Sequence, residues 1–180
     1  TQPETAGSGS DPDIVQRNSG SDPMPAHPAP PLKAMEATWP RASVVIGNPP
    51  FLGDKLMRSE LGDAYTHTLR NVFAGRVPGG ADLVTYWFCK AGQQMRANLL
   101  QRAGLVSTNS IRQRANRQVL ADASAQAPIY DAWSDLPWVN EGAAVRVSLV
   151  CWGTDVDGRP VLLDGAPVQR IHPDLKGQAE

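Results

Sequence analysis

Apolar positions follow two rhythms along this chain, short unbroken runs and helical stripes, and together they predict an alternating α/β order. Residues 43–47 (Ser-Val-Val-Ile-Gly) read as a strand covered on both faces, because such strands are continuously apolar. Residues 54–74 read as helix and loop, and Gly75 to Gly80 as a turn-rich break. Asp82 stands where a helix N-cap would. Behind it Leu83, Tyr86, Trp87, Ala91, Met95 and Leu99 return at helical spacing, which predicts an amphipathic helix to about Leu100. Gly104 to Thr108 predicts a second buried strand, Arg112 to Ala123 a helix, and Pro128 to Trp133 a third strand. A loop is expected from Ser134 to Gly142. Ala144 to Trp152 follows, the strand richest in β-branched residues. Beyond it Val161-Leu162-Leu163 and Val168 to Ile171 flank Asp164-Gly165, the signature of a small hairpin.

Composition divides the chain. Residues 1–40 are rich in Pro, Ser, Gly, Asp and Ala and hold too little apolar surface to offset the entropy of ordering. They read as a disordered segment. Residues 41–153 carry the strand and helix pattern, and 154–180 a hairpin-like extension. The 180 residues suffice for one domain. A polar start without an apolar core argues against a signal peptide, and no apolar run approaches a membrane span, so a cytoplasmic protein is expected. The chain begins at Thr1, which suggests a piece of a longer reading frame. Cys89 and Cys151 lie far apart and outside any ligand spacing, and His27, His67 and His172 are isolated. No metal site is expected. The net charge of −1 hides a central section with 12 basic and 8 acidic side chains between residues 41 and 150. That excess is compatible with nucleic acid but small for a basic footprint.

The first strand runs directly into Asn48-Pro49-Pro50-Phe51. Two prolines cannot extend a sheet, so the strand delivers a rigid turn to its own C-terminal end, where open α/β sheets place ligands. The turn presents a side-chain amide, carbonyls with no competing N–H beside them, and an aromatic face. That set suits a flat ring bearing an exocyclic amine. Arg112, Arg114 and Arg117, with Asn116 among them, follow the second strand and would stand at the same end of the sheet if both strands are parallel. They read either as phosphate or base contacts or as a solvated helix face.

Asn48-Pro49-Pro50-Phe51 resembles motif IV of the amino-methyltransferases, in the form found in DNA adenine-N6 methyltransferases. The likeness continues through Phe51 to Lys55, Met57 to Gly62, Gly75 to Val84, Tyr86-Trp87-Phe88, Arg102 to Leu105, Ala115-Asn116-Arg117, Ala132 to Asp135, Pro137-Trp138 and Gly142 to Ser148. This ordered series is similar to the methyltransferase region of large bacterial restriction–modification and phage-defence proteins, over roughly residues 41–153. The resemblance implies the second half of a Rossmann-like class I methyltransferase sheet, two parallel strands and then a closing antiparallel pair. It implies S-adenosylmethionine as methyl donor and double-stranded DNA with a flipped-out adenine as partner. Asn48 and the Pro49 carbonyl would accept the amine's two N–H groups, Phe51 would stack on the base and Pro50 would stiffen the turn. Asn48 alone leaves protein-glutamine and guanine-N2 methylation open; the longer likeness favours DNA.

The family's glycine-rich cofactor loop has no counterpart in residues 1–47 or 153–180, so no cofactor-binding residue is assigned. The expectation is a fragment, inactive alone, that needs a complementary methyltransferase half. The alternatives are a non-catalytic remnant or interaction module of such a protein, and a protein or RNA amino-methyltransferase. An open edge along Val44-Val45-Ile46 would be an aggregation hazard.

Overall fold

The computed structural model describes residues 34–140 and 143–178. Strand β1 (Ala42–Gly47) leads through a 3-10 turn (Asp54–Leu56) into helices α1 (Met57–Leu61), α2 (Asp63–Val72) and α3 (Thr85–Arg96). Next come β2 (Leu100–Thr108), a second 3-10 turn (Asn109–Arg112) and α4 (Arg114–Ala123). The long strands β3 (Ile129–Asn140) and β4 (Ala143–Gly153) follow, then the short strands β5 (Leu162–Leu163), β6 (Ala166–Pro167), β7 (Arg170–Ile171) and β8 (Gly177–Gln178). Among the described residues no helix is long and apolar enough to cross a membrane.

The main sheet has the order β1-β2-β4-β3-β5-β6, and β7 and β8 form a separate pair. β1 and β2 are parallel, with Gly47 opposite Leu105. β4 is antiparallel to both β2 and β3, so β3 runs in the direction of β1 and β2. This is the expected fold class: mixed α/β, two parallel strands closed by an antiparallel pair. The C-terminal ends of β1 and β2 lie side by side, which places the Asn48 turn next to the segment leaving β2.

The core lies where α3 and α4 meet the sheet. Phe88 of α3 stacks on Trp152 of β4 with ring centroids 5.1 Å apart and planes 8° from parallel. Met95, Leu105, Val119, Leu120 and Val150 pack in the same buried cluster. Gly92 lets the two helices approach closely, since a Cβ there would stand 2.7 Å from the Ala123 Cα.

Four local expectations need correction. β1 is an edge strand within the described sheet, with β2 as its one neighbour, and one of its two faces is uncovered. Val45 packs on the core, while Val44 and Ile46, on the opposite pleat, are 44% and 83% exposed. Residues 134–140 are not a loop, because β3 continues to Asn140 opposite β4, with register shifts at Ile129/Asp131 and Trp133/Leu136. Pro137 is tolerated within this strand, opposite Arg146. The helix expected from Arg112 begins at Arg114, after a 3-10 turn. Asp82 makes no side-chain cap to α3, because its carboxylate bonds elsewhere. The Asp164-Gly165 turn does form, with φ of 52° and 80° as such two-residue hairpins require, and joins Leu162–Leu163 to Ala166–Pro167.

Of the segment expected to be disordered, residues 1–33 lie outside the described residues, but Ala34 to Pro40 is held by charge. Glu36 bonds Arg76 at 2.7 Å and Lys90 at 3.0 Å. Lys90, itself buried, also donates to the Ala37 carbonyl and lies over the Trp39 ring. Burial alone would raise the Glu36 carboxyl, but the hydrogen bonds from Arg76 and Lys90 and their charges outweigh it and hold it below its ordinary 4.5. This latch fixes the path of the chain into β1.

Two predictions follow from this packing. An exposed helical Gly→Ala change stabilises by up to about 1 kcal/mol. Gly92→Ala should instead destabilise by about 1–3 kcal/mol, because the new methyl pushes α3 off α4; urea titration gives the sign. Glu36, with a depressed folded-state pKa, contributes stability that is present above the unfolded value and lost as pH falls through the folded one. Glu36→Gln should therefore be less stable than the parent at pH 7, with the gap closing as pH drops below 4.5.

Candidate functional site

At the end of β1 the chain turns through Asn48, Pro49, Pro50 and Phe51. Pro49 is buried and Phe51 half-buried, while Asn48 and Pro50 are exposed. Among the described residues nothing bonds the Asn48 carboxamide, and no backbone N–H reaches the Pro49 carbonyl. The proline rings fix the backbone, and among the described residues neither acceptor is taken up by a donor. The turn is therefore rigid without being internally satisfied.

Its rigidity is completed just downstream. The Leu52 carbonyl accepts from Leu83 N–H at 2.9 Å. Asp54 N–H donates to Asp82 Oδ1 at 3.0 Å. Asp82 Oδ2 accepts from Ser110 Oγ at 2.8 Å and from Asn116 Nδ2 at 2.7 Å, and Asp82 N–H donates to Asn116 Oδ1 at 2.8 Å. Arg70 holds the Asp54 carboxylate at 2.5 Å. One carboxylate thus joins the segment after the turn, the approach to α3 and the segment leaving β2. Charge-assisted bonds of this kind are the stronger ones in a protein.

The residues expected to touch DNA separate. Asn116 is 6% exposed and its carboxamide is taken up by Asp82 and Ser110, so it does not stand with the arginines on the surface. Its neighbours in space, not in sequence, decide where its carboxamide is used. Arg112 turns toward Asp135, at 3.9 Å. Arg114 and Arg117 are exposed on α4. Among the described residues neither has a carboxylate within ion-pair distance.

Beyond the end of β2, Asp135 accepts from Arg146 Nε at 2.7 Å and from Asn109 Nδ2 at 3.2 Å. The Arg146 hydrogen bond, aided by those of Asn109 and the charges of Arg146 and Arg112, holds the Asp135 carboxyl below its ordinary range. Arg146 is correspondingly raised by the Asp135 bond. This cluster braces the arm formed by β3 and β4, which carries the exposed Trp138 and Val139 past the end of β2. Sequence reasoning gave Asp82 only the role of a helix cap and gave none to Asp54, Asn109, Ser110 and Asp135. An aspartate ahead of an apolar helix looks the same whether it caps that helix or reaches across to another segment.

Among the described residues no strand runs into a Gly-x-Gly turn, and β1 has no neighbour on the side away from β2. These residues supply acceptors for an amine but no cradle for S-adenosylmethionine.

A solved structure of the Type IIL restriction–modification enzyme MmeI in complex with DNA is similar to this chain, with 28% identity and a TM-score of 0.59. The match covers 75% of this chain and 20% of that one, so this chain spans about a fifth of the length of that enzyme. No curated protein matches. The family model for the MmeI DNA-methyltransferase domain matches residues 16–162, which include the turn, both parallel strands and the β3–β4 arm. By that match, which extends over most of its length, the chain belongs to the MmeI DNA-methyltransferase domain family.

Proposed function

We propose that this chain is the target-base part of a restriction–modification DNA methyltransferase acting on the N6 amine of adenine, with S-adenosylmethionine supplying the methyl group. The observation that carries the reading is a pair of acceptors without donors among the described residues, Asn48 Oδ1 and the Pro49 carbonyl, on a proline-locked turn at the end of β1.

The adenine amine is a poor nucleophile because its lone pair is delocalised into the ring. Two acceptors on its N–H groups draw the nitrogen toward tetrahedral geometry and release that pair. They would also stabilise positive charge developing on that nitrogen, a preorganised electrostatic effect. Phe51 stacks on the ring and Pro50 keeps the turn from relaxing, which preserves alignment. The base reaches such a turn only after leaving the duplex. Arg112, Arg114 and Arg117 lie after the adjacent strand, and contacts from them to the DNA backbone fit this reading.

Because the described residues hold no cofactor cradle, the proposal includes a complementary methyltransferase half that pairs along the open edge of β1. The purified chain with tritiated S-adenosylmethionine and bacterial DNA should transfer no label. Adding a polypeptide that carries the glycine-rich strand and turn should restore transfer, with the label recovered as N6-methyladenine. Label in cytosine, in RNA or in protein glutamine would refute adenine specificity.

In that reconstituted enzyme Asn48→Ala should lower kcat by about 10²–10³-fold, the usual loss for one such electrostatic contact. The melting temperature should hardly move, since Asn48 is exposed and unpaired. Asp82→Ala should lower both, because it strands three donors; the stability loss should be about 1–3 kcal/mol.

A further inference from the structure

Arg114, Arg117 and Gln118 of α4 line one wall of a groove of about 730 Å³, and His172, Asp174 and Lys176 line the other. The second wall belongs to the loop joining β7 to β8, beyond residue 162, where the family match ends. A second depression shares Ala121 and Pro173 with the first and continues it to Arg170. One trough therefore runs beside α4 from Arg114 toward Ser124, a length of about 15 Å at 1.5 Å per residue. We infer that this trough is a track for the phosphate backbone of duplex DNA, made jointly by α4 and the β7–β8 loop. The inference rests on DNA being the substrate and adds a surface separate from the Asn48 turn.

Charge and construction both point this way. Among the described residues that line the trough, Arg114, Arg117, Lys176 and Arg170 give four cations against one carboxylate, that of Asp174, which lies 3.8 Å from Lys176. Over about 15 Å of axis one strand of a duplex presents about four phosphates. The far wall is firmly built. Leu175 is buried, its N–H bonds the His172 carbonyl at 2.8 Å, and His172 N–H bonds the Lys176 carbonyl at 2.9 Å. Lys176 is thus presented from a closed turn.

The arginines are also poorly placed for stability. Arg114 has φ of 44°, a left-handed conformation that is strained for a side chain with a Cβ. Arg114 and Arg117 stand at the N-terminal end of α4, where the helix dipole disfavours cations, and no acidic residue in the first turn offsets it. Residues held where they work against the fold are more readily understood as contacts for a ligand than as supports.

Fluorescence anisotropy with a labelled duplex, read against salt, tests the track. Each lost phosphate contact lowers the slope of log K against log salt by about 0.9. Replacing Arg114, Arg117 and Lys176 together by Gln should therefore lower it by about 2.7 and weaken binding at least tenfold at 50 mM salt. Arg159→Gln, at an exposed position away from the trough, should leave both unchanged. Arg114→Gly separates function from support: it should weaken binding without lowering the melting temperature, since glycine accepts positive φ without strain. Wild-type chain that fails to bind any duplex at 50 mM salt would overturn the track and the DNA reading together. Binding that is unaltered in the triple variant would overturn the track alone and leave the adenine proposal standing.

Discussion

The geometry of this domain's working end depends on the carboxylate of Asp82. Four hydrogen bonds, three received by its oxygens and one given by its own N–H, join segments far apart in sequence. Remove it and Leu52 to Asp54 keep only the Leu83 bond to α3's approach, while Ser110 loses its tie to Asp82 and Asn116 keeps only the bond from the Asp82 N–H to that residue. The carboxylate is only half-buried, so it keeps some hydration while its donors organise it. That balance avoids the heavy desolvation penalty of a deep charge and retains the strength of charge-assisted bonds. The proline pair sets the shape of the turn, and Asp82 sets where that shape sits.

The division between legible and illegible features follows range. The strand at Val44 to Gly47, the stripe behind Leu83 and the Asp164-Gly165 turn are local, so periodicity and turn chemistry disclosed them. The turn itself was visible because Asn-Pro-Pro-Phe has few other uses after an apolar strand. Asp82, Ser110 and Asn116 meet only once the sheet has formed, and nothing in their spacing announces it. The Glu36–Lys90 latch was hidden similarly, within a segment whose composition argues for disorder. Ser134 to Asn140 reads as loop because it holds Pro, Asp and Asn, yet pairing with β4 overrides those propensities, as sheets often do. The covering of β1 was overestimated for another reason: apolar content shows what a strand could bury, not which neighbours are present to bury it.

The two proposed surfaces differ in their physics. As a base site the Asn48 turn would work through neutral dipoles fixed by stiff backbone, so little ordering entropy would remain to be lost when a ring binds. As a phosphate track the trough beside α4 would work through exposed charge, tolerate small shifts of position and weaken with salt. A protein handling long DNA can use both, the one for choosing an atom and the other for holding a polymer in register while that atom is found.

The position of β4 has a consequence for synthesis. It is the last of the long strands to be made, yet it occupies the middle of the sheet, between β2 and β3. On the ribosome β2 therefore waits with one edge open while α4 and β3 emerge, and residues such as Leu105 and Val106 stay without their final partners until Val150 and Leu149 arrive. The β3–β4 hairpin can form locally, but its insertion beside β2 is a non-local closure and belongs to the slow class of folding steps. The interval before that closure is when the nascent chain most needs protection from its own neighbours.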